Sequence, residues 1–148
     1  MSLLIKNGRV IDPSQSLDQV ADILVEDHKV TQIGEGLDAS NVNQVVDAED
    51  MIVTPGLVDM HVQLREPGFE EDETIETGTA AALAGGFSTI ACIPNTDPPI
   101  DTQAGVEFVR QKASRARNCN VYVIAAVSKN REGEELAEMG MLVEAGAV

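Results

Sequence analysis

The sequence is poor in the side chains most used for metal and thiol chemistry, with two cysteines and two histidines in 148 residues. Cys92 and Cys119 stand 27 positions apart, without metal-ligand spacing, in the apolar runs "FSTIACIPN" and "NCNVYVIAAV". That context predicts buried free thiols rather than a disulfide, and a reducing cytoplasm as the compartment. Positive charge is also scarce: 10 Lys and Arg face 25 Asp and Glu, for a formal net charge of −15. Such a surface repels phosphate backbones and anionic lipid, so neither nucleic acid nor a membrane surface is expected as a partner. No apolar stretch approaches the roughly 20 residues of a membrane span. The N-terminus does not read as a signal peptide, because Lys6 and Arg9 interrupt a β-type alternation there.

What the chain does have is a change of grammar near Pro55-Gly56. Residues 1–52 read as short strands joined by turns. "LLIKNGRVID" alternates around Asn7-Gly8, a strong hairpin signal, and "ADILVEDHKVTQIG" repeats the design with Asp27-His28-Lys29 at the turn. His28 is thus expected as an exposed turn residue. "NQVVDAEDMIVTPG" adds a further strand pair.

From residue 53 onward, strands and helices alternate. "LVDMHVQL", "FSTIACIPN" and "NVYVIAAV" read as mostly apolar strands, each followed by a polar loop and a helical pattern. The first helix carries Ile75, Thr79, Ala82, Leu83 and Gly86 at helical spacing; the second carries Val106, Val109 and Ala113; the third carries Leu136, Met139 and Val143. Three such β-loop-α units predict a parallel sheet buried on both faces. Eight units close a TIM-type barrel, so the chain is expected to be the front part of a longer protein. The fold class is α/β.

In such a barrel the C-terminal strand ends and the loops after them form the active site. Those positions hold His61, Gln63, Arg65 and Glu66 after the first strand, Asn95, Thr96 and Asp97 after the second, and Ser128, Lys129 and Asn130 after the third. Side chains two apart on a strand share a face, so His61 and Gln63 point the same way. That is how one strand gives two ligands to one ion, but an amide oxygen is a weak donor beside an imidazole. From these two residues alone, a hydrogen-bonded histidine at a strand end is the commoner account of His61. Arg65 and Asn95 make a second constellation, since a guanidinium grips a carboxylate in bidentate fashion and an amide adds a donor. A small anionic substrate would suit it. A surface salt bridge of Arg65 with Glu66 or Glu70 is the alternative.

The stretches "VTPGLVDMHVQLREPG", "ETIETGTAAALAGGFSTIACIPNTDPPID" and "EELAEMGMLVEAGAV" resemble the opening of a dihydroorotase of the amidohydrolase superfamily. Hydantoinases and allantoinases share the early strand and its histidine but lack an arginine at the position of Arg65. The resemblance implies a zinc-dependent cyclic amidohydrolase of pyrimidine biosynthesis, interconverting N-carbamoyl-L-aspartate and dihydroorotate. Metal-bound hydroxide attacks the ring amide in that family, and an aspartate shuttles the proton. By the same resemblance His61 matches a zinc ligand, and Arg65 and Asn95 match residues holding the substrate carboxylate. Residues 1–52 match part of a small β-sandwich flanking the barrel.

Two features depart from the family pattern. Gln63 stands where the family has histidine, and the remaining metal ligands and the catalytic aspartate of the family match nothing up to Val148. This chain by itself is therefore expected to hold no catalytic residue and to bind zinc weakly. Some dihydroorotase-like chains that have lost ligands serve as non-catalytic partners of aspartate transcarbamoylase. A homo-oligomer or such a complex is the expected assembly.

Overall fold

The computed structural model describes all 148 residues, and they divide into two compact units, Met1–Pro55 and Gly56–Val148. In the first unit, β1 (Ser2–Asp12), β2 (Leu17–Glu26), β3 (Lys29–Gly34), β4 (Gln44–Asp47) and β5 (Ile52–Val53) form one sheet. The order is β3-β2-β1-β4, with β5 also on β1. β2 and β3 are joined by a tight hairpin in which Asp27 (φ 47°) and His28 (φ 66°) are both left-handed, as a two-residue hairpin turn of the primed kind requires. His28 is exposed there.

Asn7-Gly8 makes no hairpin. It lies inside β1 at a bulge, where pairing with β2 shifts between Ile5 and Gly8. Of the two residues only Asn7 is left-handed, at φ 62°, whereas the hairpin turn needs both. Asn7 is held in that conformation by its N–H donating to Asp22 at 3.0 Å and its amide donating to Asp47 at 2.9 Å. Gly8 admits the close approach of β5, since a Cβ there would stand 2.6 Å from Val53 Cγ2. The expected pairing of β4 with β5 is also absent: both run parallel to β1 instead. Val10, Ala21 and Ile23 form this unit's core.

In the second unit, β6 (Leu57–Val62), β7 (Phe87–Cys92) and β8 (Asn120–Val123) form a parallel sheet in that order. Helix α1 (Ile75–Ala84) follows β6 and α2 (Gln103–Ala116) follows β7. α1 starts at a reciprocal cap between Thr74 and Thr77 and stops at Gly85-Gly86, where Gly86 takes φ 85°. Its Ile75 and Thr79 are buried, while Leu83 is exposed. α2 is capped by Thr102 and buries Val106, Val109 and Ala113, the stripe its spacing predicts. These residues meet Leu64, Ile75, Ile90, Cys92, Ile100 and Val123 in one core.

One expectation fails here. The third helix, α3, is confined to Met139–Glu144, and its expected stripe is outside: Leu136 is 62% exposed, Met139 48% and Val143 67%. Leu142 and Ala145 face the core instead, with Ala137 just before the helix. The cause is local. Residues 133–138 are not helical, because Gly133 is left-handed and Leu136 bridges back to Ser128 as a strand would. This shortens the helix and resets its inner face. Leu57, Val58 and Met60 of β6 are all exposed, as expected of three β/α units that leave sheet edges and a face uncovered. No helix is long and apolar enough to cross a membrane.

Candidate carboxylate-binding site

The residues at the end of β6 and just beyond it keep a two-residue rhythm. Leu64 and Glu66 are buried, whereas His61, Gln63 and Arg65 are open to one degree or another. The three open side chains are thus those that share a parity along the strand direction. His61 is exposed, and its backbone N–H donates to Asp59 Oδ1 at 2.9 Å. Arg65 is 30% exposed, and its guanidinium lies over the Phe69 ring at 4.3 Å from the centroid. Its carboxylate neighbour is neither Glu66 nor Glu70 but Asp72, at 3.7 Å, outside hydrogen-bond distance. Glu70 is occupied by the Gly68 N–H, which draws its carboxyl below the usual range. Glu66 turns the other way and pairs with Lys112 of α2 at 2.6 Å.

The loop after β7 is pressed against the loop after β6. The Asp97 N–H donates to Pro67 O at 3.1 Å, and both the Glu66-Pro67 and Asp97-Pro98 peptides are cis. Gly68, at φ 100°, is the contact point: a Cβ there would lie 2.1 Å from Asp97 O, closer than any real contact. The segments carrying Arg65 and Asn95 are therefore joined through their neighbours. Asn95 is half-buried, and its Oδ1 is buried without a hydrogen-bond partner. Thr96 is spent on Pro98 O at 2.8 Å. The residues after β8 are engaged close to home: Lys129 with Glu135, Ser128 Oγ with the Gly133 N–H, and the Asn130 N–H with Asp101 at 2.7 Å.

The donors do not amount to a metal centre. No group of three or more His, Cys, Asp or Glu side chains converges in a way that could hold an ion. One exposed imidazole beside one amide is too small a set for tetrahedral zinc. The thiols offer no substitute, because burial pushes the Cys92 thiol up to about 11 and raises Cys119 as well.

Phe69, Asp72 and Lys112 escape a reading by motif, because each is placed by loop closure or helix packing rather than by spacing. The clue to Lys112 was Glu66 itself, an acid in the apolar phase of the strand end, which must find a cation.

The α/β fold, with its loops at the carboxyl ends of a parallel sheet, is shared with amidohydrolases. The L-hydantoinase (dihydropyrimidinase) of Arthrobacter aurescens superposes with a TM-score of 0.82 at 26% identity, over 98% of this chain and 31% of that one. The D-hydantoinase of Thermus sp. does so with a TM-score of 0.69 at 34% identity, over 96% of this chain and 30% of that one. A family model described as "Dihydro-orotase-like" matches residues 50–148, and the chain belongs to that family. The dihydroorotase of Pelobacter propionicus is 53% identical and that of Geobacter sulfurreducens 52%, each over 100% of this chain. The chain spans 35% of the length of these curated relatives.

Proposed function

We propose that the chain supplies the N-terminal part of a dihydroorotase, the enzyme that interconverts N-carbamoyl-L-aspartate and dihydroorotate. In this reading residues 1–52 contribute to a small β-sandwich and residues 53–148 are the first three β/α units of a TIM-type barrel. Arg65 carries the proposal. Its guanidinium lies over the Phe69 ring, 4.3 Å from the centroid, partly open, with the nearest carboxylate at 3.7 Å. The planar fork is thus oriented yet free to take a substrate carboxylate through two parallel N–H donors. Asn95, on the adjoining loop, serves as the second contact through its Nδ2 amide donor; its unpartnered Oδ1 is an acceptor and does not hold a carboxylate. In this reading His61 contributes one zinc ligand, this chain's donors do not complete a site, and no catalytic acid or base is assigned within it.

Gln63 favours a second reading. With an amide where a second imidazole would sit, the metal site would be retired and the protein would be a non-catalytic partner of aspartate transcarbamoylase. Steady-state kinetics with bound zinc measured alongside separate the two, using the protein at its natural length. Arg65→Ala is expected to raise KM for dihydroorotate by a charge-assisted contact, on the order of 1.5–3 kcal/mol. Gln63→His is expected to raise retained zinc and turnover together. An unchanged KM in Arg65→Ala would remove the carboxylate role. Bound zinc without turnover in wild type and both variants would transfer the case to the non-catalytic partner.

A further inference from the structure

Glu66 is 3% exposed, in a chain that keeps most of its 25 acids at the surface. Leu64, in the same phase of the strand end, packs into the core, and an apolar residue at 66 would meet the same need without desolvating a charge. The carboxylate instead ties three segments together. Its Oε2 accepts the N–H of Ile75, the first residue of α1, at 2.8 Å, and its Oε1 meets Lys112 Nζ of α2 at 2.6 Å. Lys112 stays on one edge of the α2 stripe, its ammonium 5.4 Å from the Phe108 ring. The charge also suits the amino end of α1.

The residue immediately before Glu66 is Arg65, whose side chain meets Phe69 and Asp72 instead of the two helices. Arg65 O accepts the Phe69 N–H at 3.0 Å, and this turn brings the Phe69 ring beneath the guanidinium. One end of the turn is thus pinned by Glu66 to two helices. The other touches the Asn95 loop through Pro67 and Gly68. We infer that Glu66, held by Lys112 and the first turn of α1, is a positioning residue that aims Arg65 at the substrate carboxylate. The inference rests on the role of Arg65 proposed above. Glu66 itself touches no substrate.

The test uses the protein at its natural length and dihydroorotate as probe. Glu66→Gln and Lys112→Met are each expected to raise KM about tenfold while leaving kcat within about twofold. Combined, they should cost no more than either alone, because they break one contact. Added to Arg65→Ala, Glu66→Gln should change KM no further. A KM rise that persists without the Arg65 guanidinium, or a loss in kcat alone, overturns the inference and leaves Glu66 a structural residue. Lys112→Met keeps the question open to measurement if Glu66→Gln fails to fold. Crystal structures of the variants answer independently of turnover: an Arg65 displaced from the Phe69 ring supports positioning, and an undisturbed one overturns it. Absence of turnover in wild type would count against the functional reading alone, and those structures would then decide the role of Glu66.

Discussion

Asn95 places a buried amide oxygen where no donor of the chain reaches it. Such an unpaired acceptor costs about 1–3 kcal/mol, a cost that evolution for stability alone would remove. Asn95→Leu, which keeps the branched outline with methyl groups in place of the amide atoms, is therefore expected to hold or raise the urea midpoint while weakening dihydroorotate binding on the order of tenfold. Denaturation and equilibrium titration on the same protein check both halves; a lower midpoint with intact binding would make Asn95 an ordinary structural residue. Gly68 behaves in the opposite way. With φ 100° and Asp97 O in the space of a Cβ, Gly68→Ala is expected to destabilise by about 1–3 kcal/mol, read from the same midpoint. A midpoint unmoved by that change would mean that the two loops separate at no cost.

Among the elements, the turn after β1 is sensitive to pH. Asp12 caps it, accepting from Ser14 Oγ at 2.7 Å and Gln15 Nε2 at 2.6 Å, and these side-chain bonds lower its pKa. Asp47 and Asp38 are lowered likewise, chiefly by Asn7 and Ser40. A carboxyl whose folded pKa lies below its unfolded one, near about 4, contributes stability above that value. The contribution is lost as pH falls through the folded pKa. Unfolding of the first unit is therefore expected to become easier below about pH 4, and less steeply so in Asp12→Asn. Urea midpoints at neutral and acid pH for the two proteins measure this; equal acid sensitivity would deny Asp12 its part.

For the molecule as a whole, apolar surface is the dominant fact of the second unit. Met60 is 77% exposed, Val143 67%, Val127 64% and Val58 60%. Val127, Met139, Leu142, Val143 and Val148 also line one shallow apolar cavity of about 180 Å³. Monomeric proteins seldom leave such groups uncovered together. The 148-residue chain produced alone is expected to self-associate and to bind dyes that report apolar surface. It is also expected to retain no zinc through dialysis, with one imidazole at the strand ends to offer. A monomer by light scattering with a cooperative melt and no dye binding would contradict the first expectation, and stoichiometric zinc lost on His61→Ala the second.

The residue pattern alone determined the elements whose burial is local and periodic. Val106, Val109 and Ala113 show one face of α2 because a helix long enough for four turns repeats its environment. The Asp27-His28 hairpin is legible because two adjacent residues meet its full dihedral requirement. Arg65 and Asn95 were visible as site candidates because strand ends in a parallel sheet are where loops gather. Where a local signal was incomplete, tertiary structure decided. Asn7-Gly8 became a bulge once β2 and β5 packed on both sides of β1, and α3 lost its expected stripe when Leu136 joined a bridge to Ser128. The setting of Arg65 was decided the same way. Its ring platform, its distant carboxylate and the Glu66–Lys112 tie lie on a closed turn and on a helix whose Lys112 is more than 45 residues on, and only packing brings them to one place.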